Sequence, residues 1–78
     1  MKSVKEVLAN VLAIPRADIT DETGPHNVES WDSFNGLVLV TELEKNFKVS
    51  FTLEEVVGVK NVGDIKRVLK NHGIHVSE

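Results

Sequence analysis

Apolar positions recur with a helical period in three stretches of this chain, and a long polar stretch separates the first from the second. Val4, Val7, Leu8, Val11 and Leu12 share one face of a first helix, opened by a Ser3–Glu6 capping-box pattern and stopped near residue 13 or 14 by Pro15. Residues 15–31 hold no sustained period. Within them Ile19, Val28 and Trp31 are spaced like anchors that pin a loop over a core, and a loop of that length in a compact domain is uncommon and usually functional or partly disordered.

A second helix is predicted over residues 33–47. At about 100° per residue, Gly36, Val40, Leu43 and Phe47 form its core stripe, flanked by Leu37 and Leu39. Phe34 and Val38 then fall on the opposite side, beside Thr41 and Lys45, as an apolar patch that a partner could cover. Gly36 costs a mid-helix position roughly 1 kcal/mol relative to alanine, so a close approach by another helix or by the loop is expected there. A short extended piece, Val49-Ser50-Phe51, follows. Thr52 and Glu55 form a second capping box, opening a brief third helix through Val56 and Val57 that Gly58 can end. Asn61 caps a fourth helix with Val62, Ile65, Val68 and Leu69 on one face and Gly73 as its stop.

These elements predict an all-α fold: a small four-helix bundle with three main helices, one short third helix and a long loop between helices one and two. Seventy-eight residues make a single domain, 1–78, with its core over about 3–72 and a C-terminal tail over 73–78. With 41% hydrophobic and 27% charged residues the chain has the composition of a globular protein. There is no cysteine, which excludes disulfides and thiolate metal sites. No apolar stretch approaches the roughly 20 residues of a membrane span or forms a signal peptide, and a cytoplasmic location is expected.

Net charge is −3, and its distribution is uneven. Asp18, Asp21, Glu22, Glu29 and Asp32 crowd residues 17–32 with no Lys or Arg, whereas Lys60, Lys66, Arg67 and Lys70 face only Asp64 over residues 60–72. The acidic excess argues against sequence-independent nucleic-acid binding. The basic cluster near the end of the last helix complements its macrodipole.

Ser33 is the best candidate for the working atom. It stands where the polar stretch gives way to the second helix, so its hydroxyl can be modified without disturbing a core. Serine is also a favoured N-cap, a duty that Asp32 or Ser30 could share. A phosphodiester on Ser33 would lie against free backbone N–H groups at the positive end of the helix dipole. Other chemistries fit less well. A hydrolase would need a base such as His26, His72 or His75 within reach of Ser33, and no Gly-x-Ser-x-Gly elbow is present. His72 and His75 suit a metal only if Gly73 leaves the helix intact, and residues 18–29 fail the spacing of a calcium loop; no metal site is expected. A helical adaptor bound through Phe34 and Val38, with Ser33 phosphorylated by a kinase, is the competing reading.

The ordered set of Asp32-Ser33-Phe34 before an apolar helix, Glu42-Leu43-Glu44, Phe47, Val49-Ser50-Phe51, Glu54-Glu55 and Asn61-Val62-Gly63-Asp64-Ile65 resembles the acyl carrier protein family. The resemblance implies that the chain is no enzyme but a carrier. Ser33 would receive 4′-phosphopantetheine from coenzyme A, and cargo would travel as a thioester on that arm. It implies a phosphopantetheinyl transferase, an acyl- or adenylate-forming loading enzyme and a downstream synthase or transferase as partners of a monomer. Docking would use Asp32, Asn35, Glu42, Glu54 and Glu55 around Phe34 and Val38, in weak, salt-sensitive contacts. Val40, Val59, Val62 and Ile65 are candidates for cargo contact, with core packing as their competing role. Phe34 stands where the family's motif has leucine, and Asn35 and Val38 where carriers of primary fatty-acid synthesis commonly have carboxylates. With the Trp31-Asp32-Ser33 string, this is similar to free-standing carriers of specialised pathways, the housekeeping carrier being the alternative.

Overall fold

The computed structural model describes residues 3–76. Four helices, α1 (Val4–Leu12), α2 (Ser33–Phe47), α3 (Leu53–Gly58) and α4 (Val62–Asn71), follow in chain order, with a 3₁₀ turn at Arg16–Asp18 and no strand among the described residues. The predicted all-helical bundle is therefore observed.

Each start is set by a side-chain cap. Ser3 accepts from the Glu6 N–H, Thr52 from that of Glu55, and Asn61 from that of Asp64. At α3 the capping box is complete, because the Glu55 carboxylate also accepts from the Thr52 N–H at 2.9 Å. The ends are set differently. Ala13 and Lys48 close α1 and α2 in the left-handed region (φ 56°), a conformation that favours glycine, so α1 ends just short of the residue that Pro15 alone would suggest. Gly73 adopts φ 83° after α4, breaking the helix between His72 and His75.

Val4, Val7, Leu8 and Leu12 of α1 meet Leu39, Leu43 and Phe47 of α2 and Val62, Ile65 and Leu69 of α4 in one buried core. Short α3 adds no fully buried residue. Ile74 and Val76, in the stretch expected to be a tail, pack partly buried against the same core.

The long connection is an ordered cover. Ile19 and Trp31 are buried and Val28 packs beside them, as their spacing predicted. Polar bonds fix the rest. Ser30 Oγ donates to the Leu12 carbonyl at 2.8 Å, tying the loop to the end of α1. At its other side the loop seals the start of α4: the Val62 N–H donates to the Thr23 carbonyl and the Gly63 N–H to the Asp21 carbonyl, both at 2.9 Å. With Asn61 serving Asp64 and Ile65, all four first-turn amides of α4 have partners. Thr23 is buried, and its hydroxyl accepts from the Thr20 N–H at 2.9 Å. Gly24 lies so close to the Lys60 carbonyl that no side chain fits between them.

α2 departs from expectation in its facing. Leu37, expected to flank the core stripe, is exposed, whereas Val38, expected on the exposed side, is half-buried. The buried stripe runs through Leu39, Leu43 and Phe47, and Leu37 lies about 120° around the helix from Leu43. On that flank α3 stands off from α2 and leaves a groove, so nothing covers Leu37.

Candidate functional site

The sequence at residues 31–36 divides two duties that a serine at a helix start would otherwise combine. Asp32 is the N-cap, with extended backbone, and its carboxylate accepts from the Asn35 N–H at 2.9 Å. Ser33 is therefore the first helical residue, not the cap. Its hydroxyl is solvent-exposed and makes no hydrogen bond among the described residues. The amides of Ser33 and Phe34 belong to the first turn and have no intrahelical acceptor, so the environment of the hydroxyl favours an anion.

The segment is held rigid from below. Trp31 is buried just before the cap, and its indole passes the open side of Gly36, where an added Cβ would meet Nε1 at 3.6 Å. At that distance a side chain would fit, so the approach expected at Gly36, one close enough to require glycine, is not present. Asn35 Nδ2 donates to the Ser30 carbonyl at 2.7 Å, so Asn35 points back to the loop and braces the entry to α2. Beside Ser33 a groove of about 600 Å³ runs between α2 and α3, lined by Pro25, Trp31, Gly36, Leu37, Val56, Val57 and Val59 among others. Ser33 and Leu37 are four residues apart and share this flank of α2, while Asn35 and Val38 lie on the other.

The carboxylates near this face are mostly engaged within the protein. Glu44 Oε2 accepts from the Phe51 N–H at 2.7 Å, fixing the turn into α3. Glu55 completes the α3 cap and lies 3.0 Å from His72 Nε2, and the Phe51 and His72 rings are 5.9 Å apart. The hydrogen bond from the Thr52 N–H, and then His72, hold the Glu55 carboxyl below its usual pKa. Glu42 is half-buried and Glu54 is exposed. Of the residues considered for cargo contact, Val62 and Ile65 are core residues, and Val40 and Val59 are half-buried. Of these four only Val59 lines the groove.

Three residues at this face escaped the sequence reading. Leu37 and Val57 are exposed apolar side chains that line the groove with Ser33, and Leu53 is exposed one turn before Val57 on α3. Their pairing at i, i+3 (Phe34 and Leu37) and i, i+4 (Leu53 and Val57) was the available signal. No group of His, Asp and Glu able to hold a metal ion exists among the described residues. No helix of the described chain is long and apolar enough to cross a membrane.

A small helical bundle thus holds an unbonded serine hydroxyl in solvent at a helix start. The model of the family described as "Phosphopantetheine attachment site" matches residues 2–69. Two acyl carrier proteins, one from Brachyspira hyodysenteriae (strain ATCC 49526 / WA1) and one from Brachyspira hyodysenteriae, are each 31% identical over 70 residues, spanning 88% of this chain and 90% of theirs. The chain belongs to the acyl carrier protein family. Membership makes it a non-catalytic carrier with covalently attached 4′-phosphopantetheine as its cofactor.

Proposed function

We propose that Ser33 is the attachment point of the 4′-phosphopantetheine arm, and that the protein carries cargo between enzymes of a specialised biosynthetic pathway in the cytoplasm. One observation carries the assignment: Asp32 takes over the capping bond, which leaves the Ser33 hydroxyl exposed and unbonded. The residues fit the group. The open first-turn amides of Ser33 and Phe34 would hold a phosphodiester on this oxygen, and Trp31, Leu37 and Val57 of the adjoining groove would flank the arm. When bound, the arm supplies a terminal thiol on which cargo is held as a thioester. The chain's own work is to present Ser33 to a phosphopantetheinyl transferase, to keep the start of α2 rigid through Trp31 and Asn35, and then to dock on a loading enzyme and a downstream synthase or transferase as a monomer.

A specialised pathway is favoured over housekeeping fatty-acid synthesis by the surface of α2. Asn35 is turned to the Ser30 carbonyl, Val38 is half-buried and Phe34 is exposed, so the first two turns after Ser33 present no carboxylate. A partner reading an acidic helix would find little here to hold. Intact-mass measurement after incubation with coenzyme A and a broad-specificity phosphopantetheinyl transferase tests the assignment. One arm is expected on the parent and none on Ser33→Ala; a parent that stays unmodified with several transferases overturns it.

A further inference from the structure

Among the described residues, Phe34, Leu37, Leu53 and Val57 are the large apolar side chains that the fold leaves in solvent, at 73%, 62%, 78% and 66% exposure. They are not scattered. Phe34 and Leu37 are one turn apart on α2, Leu53 and Val57 one turn apart on α3, and Leu37 and Val57 line the same groove as Ser33. Isolated exposed apolar residues need no explanation, but Leu37 and Val57 across one groove from each other, with Phe34 next to the same hydroxyl, make a patch of the kind that marks an interaction site.

The charges beside this patch point the same way. Residues 34–41 of α2 carry no carboxylate, and those of Asp32, Glu44 and Glu55, though charged, are fixed in place by backbone N–H groups, Glu55 also by His72. Glu54 is left as the exposed carboxylate of α3. The basic residues Lys66, Arg67 and Lys70 belong to α4, and two of them are paired: Lys66 with Asp21, Arg67 with Asp64. Any enzyme that acts on the Ser33 hydroxyl must enclose it, and a specific interface covers about 800 Å² on each partner. A footprint of that size centred on Ser33 includes its neighbour Phe34 and the groove walls.

We infer that the transferase that modifies Ser33 docks through an apolar recess filled by Phe34, Leu37 and Val57, and not through a basic surface reading carboxylates. This rests on Ser33 being the attachment point, and it replaces the salt-sensitive docking expected from sequence. Contacts of this kind draw their affinity from buried apolar area, which ionic strength barely changes, whereas ion pairs at a rim are screened.

The test is the steady-state rate of arm addition from coenzyme A, read by intact mass, with a broad-specificity phosphopantetheinyl transferase. Parent, Leu37→Ser, Val57→Ser and Glu54→Gln are compared at about 0.05 and 0.5 M NaCl. Both serine variants remove exposed side chains from different helices, and thermal unfolding confirms that each keeps its fold. The expected result is a KM about tenfold higher in each serine variant with kcat within about twofold of the parent, as for loss of contacts made equally before and during reaction. Glu54→Gln is expected to match the parent, and the parent KM to change by less than about twofold with salt. Serine variants with the parent's KM, or a KM that climbs steeply with salt and is mimicked by Glu54→Gln, overturn the inference while leaving Ser33 as the attachment point. A parent that takes no arm at all overturns the attachment point too.

Discussion

Replacing Gly36 with alanine measures what a glycine in the middle of α2 costs the fold. A Cβ there would lie 3.6 Å from Trp31 Nε1 and 3.9 Å from Cδ1, ordinary contact distances that require nothing to move. The dominant effect is then the freedom that glycine gives the unfolded chain, worth about 1 kcal/mol in favour of alanine at an interior helix position. For a domain of 78 residues that corresponds to a rise in Tm of about 4–8 °C. Urea unfolding followed by the emission of Trp31, the single tryptophan, gives an independent reading. With a slope of about 1 kcal/mol per molar, the midpoint rises by about 1 M. Gly24→Ala is the counterpart, because there the new Cβ collides with the Lys60 carbonyl, which is backbone and cannot swing aside. A loss of about 1–3 kcal/mol is expected from that overpacking. Gly36→Ala lowering the midpoint, or Gly24→Ala leaving it in place, would refute the account of how Trp31 and the loop are packed.

Two further outcomes follow from the start of α2 and from α3. Asp32→Ala removes the cap and is expected to cost about 1 kcal/mol in urea unfolding, whereas Ser33→Ala leaves stability within about 0.5 kcal/mol while abolishing arm addition. Equal losses in the two variants would mean that Ser33 shares the capping duty. Glu55 makes a pH-dependent contribution: its carboxyl is lowered in the folded chain, so it stabilises fully above the usual value of 4.5 and the contribution is lost as pH falls through the lower folded value. Unfolding midpoints measured down through that range should fall less steeply in Glu55→Gln than in the parent, and a variant that tracks the parent would show the carboxylate to be idle.

Much of this could be read from the chain because it depends on neighbours in sequence. The bounds of α2 at Ser33 and Phe47, the caps at Ser3, Thr52 and Asn61, and the stop at Gly73 are local events, set within a turn of the residue concerned. The loop anchors Ile19, Val28 and Trp31 were legible for a related reason, since isolated apolar residues in a polar stretch must be covered. What escaped depends on partners distant in sequence. Helical spacing places Leu37 beside the core stripe, and only the gap between α2 and α3 leaves it in water. Glu55, read from sequence as a cap and a docking residue, is also drawn to His72, seventeen positions away. The choice between Asp32 and Ser33 as cap turned on one residue of register, which patterns do not resolve.

The seal between the long connection and α4 bears on how the chain matures during synthesis. Asp21 and Thr23 take their partners from Gly63 and Val62, roughly forty positions later. Until those later residues have left the ribosome, both carbonyls have only water to bond, and the loop leading to α2 is unsealed on that side. Serine and helix start are thus made early but framed late. With Ser33 as the proposed attachment point, a transferase that recognises the framed site is expected to act on finished chains and to pass over nascent ones.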